Sequence, residues 1–139
     1  VQCKAILKKD GFFISNVLGG ETLTELRQSM AIAEAEFGGG SMRISPMMGV
    51  KDGAALLQRV GFKEPVSTNE VIDVKYDDLK TLLRDLQNMG EQNAILQANK
   101  NCPPKKFWTR VEQVYRENFA DENGAMNAKF EIITLSGWK

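Results

Sequence analysis

The stretch "GFFISNVLGG", residues 11–20, decides the fold. Its centre, FFISNVL, is an almost unbroken apolar run, and a double glycine closes it. Such a run reads as a strand covered on both faces, as in the parallel sheets of α/β proteins, rather than as a one-sided hairpin strand. Ahead of it stands only QCKAILK, residues 2–8, which reads as the end of a helix, with KKDG as its stop and Gly11 as a left-handed cap. A strand of this apolarity needs neighbours, and no segment before Gly11 supplies one. The expectation is the second half of a larger α/β unit.

Working outward, GGETLTELRQSMAIAEAEF (19–37) takes helical period, with Leu23, Leu26, Met30, Ala33 and Phe37 on one face. Thr22 and Glu25 have the spacing of a capping box. GGGS at 38–41 opens a loop, MRISPMMGV, and Asp52 is placed to cap a short helix, GAALLQRV. VIDVKY (71–76) alternates as a strand. DDLKTLLRDLQNMGEQNAIL (77–96) is the clearest amphipathic helix, with Leu79, Leu82, Leu83, Leu86 and Met89 in its stripe. Paired prolines start KKFWTRVEQVYRENF (105–119), whose Phe107, Val111, Val114 and Tyr115 are expected to face inward. DENG is a turn, and AKFEIITLSGW (128–138) a last long strand. Strands separated by long helical excursions indicate an α/β sheet, and with no repeat or linker the 139 residues read as a single unit.

Composition narrows the chemistry. Lys and Arg number 18 against 18 Asp and Glu, so no global field favours nucleic acid or anionic lipid. No run is long enough for a membrane span. The two cysteines are far apart, which fits a reducing compartment better than a disulfide scaffold. There is no histidine, so this chain alone cannot build a Ser/His/Asp relay or a two-histidine iron site.

Candidate binding residues follow from position. Gly19 and Gly20, between a strand and a helix, could present amide N–H groups to an anion or simply make a tight turn. Asn16 lies on the strand before them. Arg27, near Glu21 and Glu25, could face a cleft or pair locally. Arg43 and Ser45 sit in an irregular loop, and Glu91 and Asn93 at the polar tip after Gly90. All are substrate-binding candidates. No metal ligand and no catalytic residue is singled out.

Four stretches carry a family resemblance. LKKDGFFISNVLGGETLTELRQSM resembles the fifth-strand region of class I S-adenosylmethionine-dependent methyltransferases. Its GGETLTELR continuation, RISPMMGVKDGAALLQRVGF, LLRDLQNMGEQNA and the closing SGWK together resemble the mitochondrial complex I assembly factor five family. A similar but weaker resemblance extends to the malonyl-carrier-protein O-methyltransferases of biotin synthesis. Arg43 stands where relatives often have histidine, which places an acid–base role there in doubt.

The resemblance implies the C-terminal half of a Rossmann-like methyltransferase fold. GFFISNVL would be the fifth strand, VIDVKY the sixth, and KFEIITLSGW a seventh inserted between them. That makes a three-strand mixed sheet, two strands parallel and one antiparallel, with several helices and without the cofactor-binding N-terminal half. It also implies S-adenosylmethionine in the intact parent, with none bound by this chain alone. The implied activity is hydroxylation of an arginine in a complex I subunit, on the matrix side of the mitochondrion and peripheral to the inner membrane. Malonyl-carrier-protein O-methylation and a non-catalytic protein-binding scaffold are the alternatives. Residues 12–18 are expected to meet a homo-oligomer or another edge-pairing partner.

Overall fold

The computed structural model describes residues 1–38, 46–90 and 103–139. Their elements run α1 (Gln2–Ile6), β1 (Phe12–Leu18), α2 (Thr24–Glu36), α3 (Val50–Val60), β2 (Lys63–Tyr76), α4 (Leu79–Asn88), α5 (Lys105–Phe119) and β3 (Met126–Trp138). The α/β class and the three strands are as expected. β2 starts eight residues earlier than the alternating VIDVKY pattern indicated, because KEPVSTNE is too polar to display a buried period.

The sheet has the order β1-β3-β2, so the last strand lies between the other two. Each hydrogen-bonded neighbour pair is antiparallel, and the expected mixed sheet with its parallel component is not what forms. The cause is the insertion itself. β3 runs against β1 from Phe12↔Trp138 to Leu18↔Ile132 and occupies the whole inner edge of β1.

The chain divides into two compact units, the first being Val1–Thr22, Met47–Ile72 and Phe130–Lys139. Here Leu57, Phe62, Ile133 and Leu135 form the core, with Phe13, Val17, Met48, Val50 and Val60 packed on it. Period two puts Phe13, Ser15 and Val17 on the core face of β1 and Phe12, Ile14 and Asn16 on the other. α3 approaches β3 closely at Gly53, where a Cβ would strike the Leu135 side chain.

The second face of this sheet is open. Ile14 is 63% exposed, Phe12 45%, Trp138 43%, and Val66 and Ile72 of β2 are exposed as well. Ser67 reaches the other way, donating to the Val50 carbonyl at 2.8 Å, which fixes the side on which Val66 lies. The expectation that β1 is covered on both faces is therefore met on one face only. No described strand pairs with the outer edge of β1.

The second unit is Leu23–Pro46 with Asp73–Lys129. α2 packs on α5, burying Leu26, Met30 and Ala33 along with Phe107, Val111, Val114 and Tyr115. Phe37 does not join that face. It is half exposed and meets the Phe107 ring edge-on at 6.0 Å. At the same end the Arg110 guanidinium grips both oxygens of Glu36 at 2.7 Å. α4 buries Leu79, Leu82 and Leu86, but Met89 lies past its end and is exposed.

Three caps differ from expectation. α2 begins at Thr24 behind Leu23, whose φ of 55° is left-handed, so Thr22 and Glu25 form no capping box. Thr22 is instead drawn to β3. Asp10, not Gly11, takes the left-handed position after α1, with φ 59°. α3 starts at Val50, and Asp52 accepts from the Gly49 amide at 3.2 Å from inside the helix instead of preceding it. Asp78, by contrast, caps α4 as its type predicts, accepting from the Thr81 amide at 2.7 Å.

Candidate functional site

In the first unit the C-terminal end of β1 runs into Gly19–Thr22, and this turn is built around Glu131 of β3. The Glu131 side chain stands between Phe130 and Ile132 in β3, and the residue is 4% exposed. One carboxylate oxygen accepts from the Glu21 amide at 2.9 Å, and the other from the Asn69 side-chain amide at 2.8 Å. The Thr22 hydroxyl accepts from the Glu131 amide at 3.0 Å and donates back to its carbonyl at 3.2 Å. Gly19 is required by contact, since a Cβ there would collide with the Glu131 carboxylate.

Every amide of the turn is used internally. Gly19 donates to the Glu131 carbonyl, Gly20 to Met48, Glu21 to the Glu131 side chain and Thr22 to Gly19. An anion would find no unoccupied N–H at Gly19–Gly20. The double glycine is a tight turn fitted over a buried carboxylate. Asn16, on the open sheet face, accepts from the Thr134 hydroxyl at 2.9 Å.

In the second unit, Arg27 donates to the Thr24 hydroxyl at 3.2 Å, one turn back on α2. The more telling side chain is its neighbour Glu25. Glu25 is 7% exposed, and its Oε1 lies 3.4 Å from the Lys129 ammonium. Its Oε2 is buried with no hydrogen-bond partner. A buried oxygen left in that state costs about 1–3 kcal/mol. The Tyr115 hydroxyl does not help, because it donates to the Asn127 carbonyl at 2.7 Å. Burial, with the Glu25 and Tyr76 charges behind it, holds the Tyr115 phenol well above its ordinary range, so it stays neutral.

Arg43, Ser45, Glu91 and Asn93 lie outside the described residues. Of the expected candidates, Asn16, Gly19 and Gly20 fall in the first unit and Arg27 in the second. Sequence reasoning missed Glu131 as a site residue and assigned Glu25 to capping alone. The signal for Glu131 was available: a carboxylate inside KFEIITL is out of place unless it has dedicated partners. Among the described residues no group of three or more His, Cys, Asp or Glu could hold a metal ion. No described helix is long and apolar enough to cross a membrane.

No protein-family model matches the chain. It is 40% identical over 139 residues to the human arginine-hydroxylase NDUFAF5, mitochondrial, an alignment spanning 99% of this chain and 40% of that protein. Against the Dictyostelium discoideum protein of the same name the identity is 37% over 137 residues, 97% of this chain and 31% of the relative. The malonyl-[acyl-carrier protein] O-methyltransferase 1 of Coxiella burnetii is 31% identical over 132 residues, 95% of this chain and 44% of that protein. The chain thus spans less than half the length of these relatives. Across nearly all of its residues it is similar to the mitochondrial NDUFAF5 arginine-hydroxylases, and at lower identity to the carrier-protein O-methyltransferases, as its four sequence stretches indicate.

Proposed function

We propose that this chain is the substrate-side, C-terminal part of a methyltransferase-like protein that hydroxylates an arginine of a respiratory complex I subunit during complex assembly in the mitochondrial matrix. The observation that carries the reading is the 37–40% identity, over 97–99% of the chain, to proteins named mitochondrial arginine-hydroxylases. The lower identity to carrier-protein O-methyltransferases keeps methyl transfer to a malonyl thioester carrier as the second reading.

The open side of the sheet supports the same assignment. Phe12, Ile14, Val66, Ile72 and Trp138 form an apolar face without a described cover, and the outer edge of β1 carries no charge over FFISNVL. Soluble proteins protect such edges with charge, proline or a bulge. None of these devices occurs in residues 12–18, so the edge and face fit against the remainder of a longer domain.

The amides of the Gly19–Gly20 turn between β1 and α2 are taken by partners within the chain, which supports placing S-adenosylmethionine elsewhere in the longer protein. In this reading the cofactor is held by the rest of the longer protein. This chain contributes substrate enclosure.

The test is mass spectrometry of the complex I subunit and of a malonyl carrier from cells that hold or lack the longer protein, where molecular oxygen, cellular reductants and S-adenosylmethionine are all supplied. An arginine heavier by one oxygen atom supports the hydroxylase. A methyl gain on a malonyl carrier moves the assignment to the second reading, and no modification of either substrate sinks both.

A further inference from the structure

We infer that the open depression at the start of β1 and β2 and the end of β3 is a seat for a guanidinium group, carried by the segment of the longer protein that covers the open apolar face. The inference rests on the proposed reading of this chain as one part of a longer domain, and adds the chemistry by which the two parts recognise each other.

The depression has a volume of about 310 Å³ and is lined by Asp10, Lys63, Glu64, Trp138 and Lys139, all in the first unit. Asp10 stands just ahead of β1, Lys63 and Glu64 begin β2, and Trp138 closes β3. The Lys139 amide donates to the Gly11 carbonyl at 2.9 Å and ties the end of β3 to the start of β1. Gly137 lets the start of β2 approach, since a Cβ there would come within 3.0 Å of the Phe62 side chain.

Asp10 and Glu64 both have left-handed backbone, with φ of 59° and 48°. Neighbours on a regular strand point to opposite faces, and the break at Glu64 lets it line the same depression as Lys63. Both carboxylates are exposed, with no hydrogen bond or ion pair of either among the described residues. The Lys139 ammonium is turned away to α1, donating to the Leu7 carbonyl at 2.6 Å and to the Ala5 carbonyl at 3.4 Å. What faces a ligand is therefore two carboxylates, the single ammonium of Lys63 and a half-exposed indole.

These groups favour a flat, weakly hydrated cation. A guanidinium stacks on an indole while its N–H fork meets a carboxylate, whereas an ammonium is a compact, strongly hydrated point charge. The carrier follows from continuity. The Phe12 ring lies 4.6 Å from that of Trp138, and Phe12 belongs to the uncovered apolar face with Ile14 and Val66. A segment covering that face lays apolar side chains over it and reaches the depression at its end, where a cation is complementary to the two carboxylates. The relatives, more than twice as long as this chain, have the length for such a segment.

The experiment is an NMR titration with Nα-acetyl-L-arginine amide, run on the full 139-residue chain and on the longer protein, with the citrulline and lysine analogues as controls. In the 139-residue chain, saturable shifts are expected at the amides of Asp10, Glu64 and Lys139 and at the Trp138 indole N–H. They should be weaker with the lysine analogue and absent with citrulline. Asp10→Asn keeps a residue that tolerates the left-handed backbone, and combined with Glu64→Gln it should weaken binding about tenfold. Trp138→Leu should weaken it about threefold, and Lys63→Met, which removes the like charge, should strengthen it. In the longer protein the seat is already filled, so the same signals should not respond. Equal shifts with citrulline, full affinity in the double variant, or no shifts at these residues overturns the guanidinium seat. An equal response in the longer protein overturns its assignment to the covering segment. If β1 is protected from exchange in the longer protein while these shifts are missing, the seat alone falls and the reading of the chain as part of a longer domain stands.

Discussion

Two buried glutamates in this molecule are treated in opposite ways. Glu131 is encircled, its two oxygens taken by the Glu21 amide and the Asn69 side chain, its backbone by Thr22, and its flank by a residue that can only be glycine. Glu25 leaves one buried oxygen without a hydrogen-bond partner from the protein, near a neutral phenol. Similar burial thus supports different roles. The satisfied carboxylate is a clamp that shapes a turn, and the unsatisfied one is a position where the fold gives up stability.

The contrast breaks most sharply at Gly19. Gly19→Ala drives a methyl into the Glu131 carboxylate, and the variant should lose about 3 kcal/mol by urea denaturation. Wild-type stability in that variant would mean that the turn is looser than described. Replacing Glu131 by Leu strands the Glu21 amide and the Asn69 amide, and the expected loss is about 2 kcal/mol.

A smaller effect comes with acid. The Lys75 ammonium, with the Ala125 amide, holds the Asp121 carboxyl below the usual carboxylate range. The Thr81 amide does the same for Asp78, and Arg110 for Glu36. Depressed folded values mean that this stability is present above the unfolded carboxylate pKa and is lost as pH falls through the lower folded values. All three groups belong to the second unit, so helix signals from α4 and α5 should weaken in acid before the β1–β3 ladder does, as amide exchange at low pH would show.

The smallest change is expected at Glu25. Glu25→Gln forfeits a helix-end interaction and a long ion pair, each worth about half a kcal/mol, but relieves an unpaired buried charge. Its unfolding free energy from urea denaturation should change by less than about 0.5 kcal/mol. A loss as large as that of the Glu131 variant would erase the distinction between the two sites.

The sequence disclosed elements more readily than their junctions. Apolar period located α2, α4 and α5, because the buried residues Leu26, Met30, Leu79, Leu82, Phe107 and Val111 recur at helical spacing. The insertion of the last strand antiparallel between the other two was expected and forms, whereas the parallel component was not found, because an apolar run such as FFISNVL does not report which way its partner runs. The capping error at α2 has a tertiary cause, since local spacing at Thr22 and Glu25 was outweighed by bonds to β3 more than a hundred residues away. Glu131 could have been noticed as a carboxylate inside KFEIITL, but its partners Glu21 and Asn69 are remote in sequence and nothing near position 131 announces them. The family resemblance was legible because it rests on ordered identities, which do not depend on tertiary contacts.

Hydrogen exchange along β1 tests most directly whether the chain is one part of a larger domain. In the isolated chain, at a concentration where it is monomeric, the amides of residues 12–18 that do not face β3 should exchange quickly. In the longer protein the same amides should be protected by orders of magnitude. Strong protection in the isolated monomer, or continued rapid exchange in the longer protein, would contradict the assignment of this edge and its open apolar face to the rest of the domain.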